Sequence, residues 1–393
     1  MNLAAVLLAL ALAPALLAQG AEQCTSAVIS RGQEGRPMLW KNRDTDTLSN
    51  KVVFRRDLPH SYLALVDADD DSGRHAWAGL NDAGFAIMNT VAYNLPGSDK
   101  EARDGEGAIM GDALRLCRTV ADFEAWLEAN KGRGLGSQAN FGVLDAEGRA
   151  FLFEVHNHGF TKIDAALCPD RLQVNTNFAR SGKPGKGAGY LRFDRASALV
   201  QALGPVTAQG IFAKVARDTG NPLTKQPSAV DLAPLPRAGQ GLWVSTRDSI
   251  NKSYTSASVI IVGRRPGDPG SRATFWILPG EPVTGLAMPL WVEAGRSPEP
   301  LWKGAEAPLW AETRRIKEIG RPFPEAERKE YLDLARLLNA EGTGYLPRLL
   351  AVEEEIFKAA AAFEARPRTP EELAAFQDAM AAKALGTLKR VGL

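Results

Sequence analysis

Between residues 24 and 91 the chain alternates short apolar runs with polar breaks. The runs are rich in Val, Ile, Leu, Thr and aromatic residues, and the breaks carry Gly, Asp, Asn or Pro. This pattern predicts a series of short strands. Segments 81–84 and 145–148 separate pairs of runs and predict tight hairpin turns. The predicted strands are residues 24–30, 37–42, 51–54, 61–67, 75–80, 85–91, 140–144, 150–155, 172–178, 242–246, 256–262 and 274–278.

Apolar residues recur at helical spacing in several later segments. The predicted helices are residues 107–117, 120–130 (capped by Thr119), 193–203 and 206–218, followed from about residue 315 by three amphipathic helices with breaks at 341–344 and 366–367. Strands, then helices, then strands again predict an α+β domain with helices packed outside two sheets. The last three predicted strands, which begin at residue 242, are expected to complete the second sheet.

The first residues differ from the rest of the chain. Residues 3–17 are almost wholly Ala, Leu and Val with one Pro, and small or polar residues follow. This composition predicts a removable export signal and a periplasmic or secreted protein, because the stretch is short for a membrane anchor. The alternative is a buried N-terminal helix. Cleavage after Ala18 or Ala21 leaves Cys24 a few residues from the new end, so residues 1–23 are interpreted as a signal peptide and short propeptide.

The charge balance excludes some partners. Lys and Arg number 47 and Asp and Glu number 46, so no net field attracts nucleic acid or an anionic membrane surface. A small-molecule amide or a short peptide is the expected partner, with a homo-oligomer left open. Three cysteines in an exported chain leave at least one thiol unpaired within the monomer, and a Cys117–Cys168 bridge and two inert thiols are equally compatible with the sequence.

A cysteine that begins a mature chain has its own α-amino group within reach of its sulfur. That amine titrates near ~8 and can take the thiol proton, directly or through a water. Cys24 would therefore supply both nucleophile and base. The four histidines of the chain are not needed by this scheme.

The residues around Cys24 form a recognisable pattern. Cys24-Thr25 opens a strand, Gly32 and Gly35 lie in the following turn, and the next strand ends in Lys41-Asn42-Arg43-Asp44. This arrangement resembles the N-terminal nucleophile (Ntn) hydrolases, in the branch of the choloylglycine hydrolases, penicillin V acylase and the acyl-CoA:6-aminopenicillanic acid acyltransferases of peptidase family C45. The resemblance implies a four-layer αββα sandwich over residues 24–300, with residues 301–393 as a C-terminal helical extension.

The resemblance also implies roles for individual residues. Asp44 would accept a hydrogen bond from the Cys24 amine, and Asn177, in the segment Asn175-Thr176-Asn177-Phe178, would donate to the oxyanion. Arg247 would bring positive charge near the thiolate. The residues implied to line the substrate site are Lys41 with Arg43 beside it, where the family motif has Arg, and the rival asparagines Asn89 and Asn94, the latter in Asn94-Leu95-Pro96-Gly97.

The function that these residues predict is hydrolysis of linear amide C–N bonds through a Cys24 thioester, without metal or cofactor. An amine in place of water would make the same site an acyltransferase. Residues before Cys24 could be removed by Cys24 itself or by a peptidase.

Two other functions stay open at this point. The chain could be a non-catalytic exported binding protein on the same fold. It could also be a thiol hydrolase that uses Cys117 or Cys168 with His156 or His158. The pair in His156-Asn157-His158 could share a strand face and bind a metal ion, but no further His or Cys cluster completes such a site.

Overall fold

The structure is a computed structural model that describes residues 23–70, 72–96, 105–268, 270–323 and 329–392. The predicted export signal, apart from Gln23, lies outside the described residues, and so does Gly97. The described residues form two large antiparallel sheets, a small two-stranded sheet and eight α-helices.

The first sheet, here called sheet A, brings together strands that are far apart in the chain. Its spatial order is β10-β1-β2-β12-β13-β14, and all neighbours are antiparallel. The strand that starts beside Cys24 therefore lies between β10 and β2, one strand in from the edge of the sheet. The strands are β1 (Thr25–Ile29), β2 (Met38–Asp44), β10 (Leu172–Asn175), β12 (Thr255–Val262), β13 (Thr274–Pro279) and β14 (Met288–Leu290).

The second sheet, sheet B, is a seven-stranded meander in which each strand pairs with the next along the chain. The turns at residues 81–84 and 145–148 join consecutive strands, as the sequence predicts. The strands are β3 (Asn50–Arg55), β4 (Tyr62–Asp67), β5 (Ala78–Asn81), β6 (Ala86–Val91), β7 (Ala139–Leu144), β8 (Ala150–His156) and β9 (Gly159–Asp164).

The two sheets pack face to face, and the alternation of side chains along sheet A divides the core into two parts. Val28 and Leu39 belong to the apolar cluster shared with sheet B. Their neighbours Ala27 and Trp40 belong to a second cluster on the opposite face, which is covered by helices. Both faces of β1 and β2 are buried, so these strands carry few polar residues except at the ends that form the site.

Helices cover the outer faces of both sheets. Phe123 of α2 packs against Phe141 and Phe153 of sheet B, with ring centroids 6.1 and 5.2 Å apart. On the other side α3, α4 and α7 contribute to the cluster that covers sheet A. The helices are α1 (Glu106–Leu116), α2 (Val120–Asn130), α3 (Tyr190–Ala202), α4 (Ala208–Ile211), which continues as a π-helical segment Phe212–Ala216, α5 (Pro308–Gly320), α6 (Leu334–Leu337), α7 (Leu346–Glu364) and α8 (Pro370–Lys389).

The predicted α+β class and the four-layer αββα arrangement are confirmed. The helices after residue 301 are joined closely to the sandwich: Ile356 of α7 packs into the outer cluster of sheet A. The indole nitrogen Nε1 of Trp310 in α5 donates to the Ser256 carbonyl at 2.8 Å. Thr119 caps α2 through a capping box, as predicted from the sequence.

One predicted strand lies elsewhere. Segment 242–246 does not complete sheet A; its strand β11 (Trp243–Ser245) pairs only with β15 (Tyr331–Asp333), in a separate two-stranded sheet. The strand is three residues long, and Trp243 is half exposed against Phe323. A strand in the middle of sheet A needs apolar side chains on both faces, which this segment lacks.

Candidate functional site

Cys24 is fully buried at the start of β1 in the chain that still carries Gln23. The antiparallel register pairs Thr25 with Asn42, which places Cys24 beside the end of β2. The Asp44 backbone N–H donates to the Cys24 sulfur at 3.5 Å, and the thiol lies 3.8 Å from the Asp44 carbonyl oxygen. The pairing of β1 with β2 therefore holds the Cys24 sulfur against the backbone of Asp44.

The Asp44 carboxylate is buried with one oxygen poorly satisfied. Its Oδ1 accepts a hydrogen bond from the Thr255 hydroxyl at 2.7 Å. Its Oδ2 has no hydrogen-bond partner within the described part of the chain. Burial raises the pKa of Asp44 to about 6, against the opposing effects of Lys252 and Arg192. A carboxylate in this state is ready to accept a cationic donor.

Lys252 brings a buried amine to the same place. Its backbone N–H donates to the Thr255 hydroxyl at 3.0 Å, which attaches it to the start of β12. Its Nζ donates to the Gln23 side-chain oxygen at 2.5 Å and to the Arg247 carbonyl at 2.6 Å. Burial, followed by repulsion from Arg192, lowers the pKa of Lys252 to about 7, although Asp44 opposes this shift.

Arg192, in the first turn of α3, connects Cys24 to Asn177. Its Nη1 donates to the Cys24 carbonyl at 2.7 Å and to the Thr25 hydroxyl at 2.8 Å. Its Nη2 donates to Asn177 Oδ1 at 2.8 Å, which fixes the orientation of that amide. The Asn177 Nδ2 in turn donates to the Val91 carbonyl at 3.0 Å. Burial lowers the pKa of Arg192, an effect that Asp44 and Cys24 oppose.

Gly189 allows Arg192 to occupy this position. The glycine precedes α3 with φ of +84°, in the left-handed region. A Cβ at this position would lie 2.5 Å from Arg192 Nη2 and 2.9 Å from the Thr176 side chain. Glycine is therefore required both for the backbone turn and for the guanidinium beside it.

Lys41 and Asn89 meet between the sheets. The Lys41 Nζ reaches from β2 to sheet B, where it donates to Asn89 Oδ1 at 2.6 Å and to the Trp77 carbonyl at 3.1 Å. Both side chains are buried. The structure thus brings together one pair of the predicted substrate-site residues.

Arg43 forms a separate cluster on the same strand. Its guanidinium pairs with Asp67 at 2.8 Å and donates to Asn50 Oδ1 at 2.5 Å. The guanidinium carbon also lies 4.5 Å from the centroid of the Trp77 ring. These contacts tie β2 to sheet B.

Two further predicted site residues make contacts that differ from their predicted roles. Arg247 points its guanidinium to Glu330 at 2.9 Å, with 63% of its side chain exposed, and reaches the site through its backbone carbonyl on Lys252. Asn94 uses its amide on backbone groups: Nδ2 donates to the Ala179 carbonyl at 2.8 Å, and Oδ1 accepts from the Ala179 N–H at 2.7 Å. Asn94 therefore holds the loop after Asn177.

The alternative thiols lie in other surroundings. All three cysteines are described, and none is in a disulfide. Burial raises the pKa of Cys117 to about 12, which keeps its thiol protonated. Burial also raises the pKa of Cys168, whose thiol donates to the Asp164 carbonyl at 3.4 Å.

Cys168 is far from the histidine pair. The β8–β9 register places Gly159 opposite His156 at the turn and Asp164, near Cys168, opposite Phe151 at the other end. A hairpin of this length separates its ends by about 15 Å. The structure therefore does not bring Cys168 to His156 or His158.

The described residues contain no group of three or more His, Cys, Asp or Glu placed to hold a metal ion. None of their helices has the length and apolar composition needed to cross a membrane.

Sequence reasoning missed Arg192, Lys252 and Thr255. Arg and Lys are rarely buried, so two charged residues in polar segments give no sign of a buried role. Thr255 opens the strand next to β2, but that neighbour relation appears only in the folded sheet. The one available signal was position: both Lys252 and Thr255 lie just before a strongly apolar strand.

As a chemical arrangement, the site places a carboxylate, a lysine amine and an oriented amide around Cys24 and its sulfur. Cys24, Asp44 and Asn177 of the sequence-predicted residues converge there, and Arg192 and Lys252 join them. Such a set can attack a carbonyl carbon and transfer a proton to its leaving nitrogen.

No protein-family model matches the chain, and no curated protein matches it by sequence. Solved structures do resemble it in backbone arrangement. An N-acylethanolamine-hydrolyzing acid amidase ortholog from Caenorhabditis elegans is 15% identical, with 63% of this chain and 95% of that chain covered and a TM-score of 0.40. Penicillin V acylase from Agrobacterium tumefaciens is 17% identical, with 68% and 86% covered and a TM-score of 0.39.

A third similar structure is a mutant of conjugated bile acid hydrolase from Clostridium perfringens. It is 11% identical, with 68% of this chain and 92% of that chain covered and a TM-score of 0.39.

Proposed function

We propose that the chain is an exported amide hydrolase of the Ntn type, in which loss of residues 1–23 makes Cys24 the N-terminal nucleophile. The observation that carries the proposal is the pairing of the Cys24 sulfur with a buried Asp44 whose Oδ2 has no partner in the described part of the chain. Removal of Gln23 would create an α-ammonium group beside that carboxylate. The unsatisfied oxygen would then gain a charged hydrogen-bond donor.

The reaction begins with the neutral form of the Cys24 amine as base. It takes the thiol proton and becomes the ammonium that Asp44 holds, the sulfur attacks the amide carbon, and a tetrahedral oxyanion forms. The amine then gives the proton to the leaving nitrogen as the C–N bond breaks. Asp44 holds the amine in the position that both transfers require.

Asn177 is the proposed oxyanion donor. Arg192 holds its oxygen at 2.8 Å and its nitrogen donates to the Val91 carbonyl at 3.0 Å, so the amide has one fixed orientation before substrate binds. A preorganised donor of this kind contributes about 3 kcal/mol to lowering the barrier. The guanidinium also donates to the Cys24 carbonyl and so positions the nucleophile residue itself.

The thioester left on Cys24 is resolved by water, or by an amine if one is admitted, which would make the product a new amide. The substrate is proposed to be a small-molecule amide or a short peptide. Cys24 is fully buried while Gln23 is attached, so processing must precede catalysis.

The test is to purify the protein from an exporting host and measure its intact mass, its labelling by a thiol-reactive probe and its turnover of an amide panel. The expected mature mass runs from Cys24 to Leu393. We expect one fast-labelling thiol, and we expect Cys24→Ala to abolish both that label and amide turnover.

Cys168→Ala is the matched control, because Cys168 is the more exposed of the other two thiols. It should leave the fast label and the turnover in place. A mature end upstream of Cys24, or a fast label that survives Cys24→Ala, would refute the proposed mechanism.

A further inference from the structure

The residue before Cys24 makes a specific contact inside the site. The Gln23 side-chain oxygen Oε1 accepts a hydrogen bond from Lys252 Nζ at 2.5 Å. Lys252 is fully buried, and its Nζ is also held by the Arg247 carbonyl. A side chain of the segment to be removed is therefore recognised by an internal amine.

The position of Gln23 corresponds to that of an acyl group. Its carbonyl carbon is bonded to the nitrogen of Cys24, and in an acyl-enzyme the substrate carbonyl carbon is bonded to the sulfur of the same residue. If Cys24 cleaves the bond itself, the correspondence is complete. The Sγ–C bond forms, the C–N bond breaks, the thiol proton passes to the freed amine, and Gln23 becomes the acyl group of the thioester.

The carbon count of Gln23 then defines the acyl group that reaches Lys252. The carbonyl carbon is the first carbon, Cα the second, Cβ the third and Cγ the fourth. Cδ, which carries Oε1, is the fifth. A linear acyl group of the same reach ends in a carboxylate or a carboxamide on its fifth carbon, as in the glutaryl and glutaramoyl groups.

The surroundings keep Lys252 in place after Gln23 has left. Its backbone N–H donates a hydrogen bond to the Thr255 hydroxyl, and its Nζ lies 5.2 Å from the centroid of the Tyr254 ring. Departure of Gln23 removes one acceptor from a buried amine, which is costly until another oxygen replaces it. Arg192 and Lys252 together add positive charge that a carboxylate would complement.

We propose that Lys252 is a specificity-determining residue that selects amides whose acyl group carries a carboxylate or carboxamide oxygen on its fifth carbon. The proposal rests on the function proposed above, since it assigns the acyl side of the same site.

The experiment compares three 4-nitroanilides that differ only at the fifth carbon: pentanoyl, glutaramoyl and glutaryl. The mature wild-type protein should show kcat/KM about 10- to 100-fold higher for the better of the two oxygen-bearing substrates than for pentanoyl, the range expected for one hydrogen bond to a charged group. The two oxygen-bearing arms distinguish a neutral from an anionic acyl end.

Lys252→Met should reduce that ratio to near 1. The ratio is taken within one variant, so a general loss of rate or of matured protein cancels. Lys317→Met is the matched control, because it makes the same change at another largely buried lysine, whose Nζ donates to the Ser253 carbonyl and not to Gln23. Its ratio should stay at the wild-type value even if its rate falls.

Two results would overturn the proposal: a wild-type preference for pentanoyl or no preference, or a ratio unchanged by Lys252→Met. Turnover that depends on Cys24 but shows no preference refutes only this assignment, whereas no turnover of any amide refutes the proposed function. In the latter case, calorimetry with glutarate and pentanoate decides the role of Lys252, since equal binding of the two acids by the wild-type protein would refute it.

Discussion

Two buried carboxylates of this protein, Glu281 and Asp44, have pKa values shifted in opposite directions. Glu281 accepts hydrogen bonds from Arg321 Nε at 3.0 Å, from Arg321 Nη2 at 2.6 Å and from Asn251 Nδ2 at 2.7 Å. Burial alone would raise the pKa of Glu281, but Arg321 outweighs it and the pKa is lowered. The Asp44 carboxylate is equally buried. Within the described part of the chain its one side-chain hydrogen-bond donor is the Thr255 hydroxyl, and burial raises its pKa.

The difference separates a structural ion pair from a reactive site. A bidentate guanidinium satisfies Glu281 and leaves it nothing further to bind. Asp44 has cations nearby, but it keeps one oxygen without a hydrogen-bond partner in the described chain. Groups held in such incomplete surroundings, with strongly shifted pKa values, are concentrated at functional sites.

The largest expected effect is on activity at Asp44. Asp44→Asn keeps an oxygen for Thr255 but cannot hold the Cys24 ammonium, so kcat/KM should fall about 10⁴-fold, as when an orienting carboxylate is neutralised in a catalytic triad. The measurement is turnover of an amide substrate by protein whose mass confirms Cys24 as the first residue. Activity within tenfold of wild type would show that Asp44 does not orient the amine.

The next effect is on stability at the second carboxylate. Arg321→Met leaves Glu281 buried without its guanidinium and should lower the free energy of unfolding by roughly 4 kcal/mol. Urea denaturation measures the change. The double variant Glu281→Gln/Arg321→Met should recover part of the loss, because no buried charge is then unpaired; a double variant as unstable as the sum of both singles would contradict this account.

A smaller effect depends on pH. In unprocessed Cys24→Ala protein, Asp44 has a pKa of about 6, raised from its ordinary value, so between pH 4 and 6 the unfolded chain loses a proton that the folded chain keeps. Stability should therefore fall as pH rises through this window, by about 2 kcal/mol more than in Cys24→Ala/Asp44→Asn protein. The pKa of Lys252 is lowered to about 7, so its titration affects the free energy of unfolding only above about pH 7. There the unfolded chain binds the extra proton, and stability rises with pH.

Urea denaturation at several pH values measures this difference. Parallel pH profiles for the two variants would show that Asp44 is not destabilised by burial. In the mature protein the Cys24 ammonium should lower the pKa of Asp44, so there the fall in stability should be reduced or absent.

The smallest effect concerns the glycine beside Arg192. Gly189→Ala and Gly204→Ala both place alanine at a positive φ, which should cost about 1 kcal/mol of stability in each, and the close contacts at Gly189 should add to its loss. Only the first brings a Cβ against Arg192, whereas nothing lies within 4 Å of a Cβ at Gly204. Gly189→Ala should therefore also lower kcat/KM about tenfold. Equal activity in the two variants would show that Arg192 need not be held in place.

Much of the fold followed from local patterns. The apolar runs predicted the strands of both sheets except β9 and β14, and Thr119 predicted the start of α2, because strand alternation and capping are local properties. The strand at residue 242 was predicted to join the second sheet, but it pairs with β15. The apolar pattern of a strand does not determine which strand will be its neighbour. The domain boundary near residue 300 stays a prediction.

The motifs assigned Cys24, Asp44 and Asn177 to the site, and the structure brings these three together. Cys24 and Asp44 lie on adjacent strands of one hairpin, so their meeting follows from the sequence. Arg192 and Lys252 join them through helix and sheet packing that no local pattern encodes. Arg247 was assigned for its charge, whereas the structure uses its carbonyl, a group that every residue has.

The hydrogen bond between Thr255 and Asp44 joins residues 211 positions apart. Contacts of such long sequence separation form late in folding, because a large loop must close first. We therefore expect Cys24 to gain its chemical surroundings only when β12 has paired with β2, late in folding. The site would then become reactive only in a chain that has already folded.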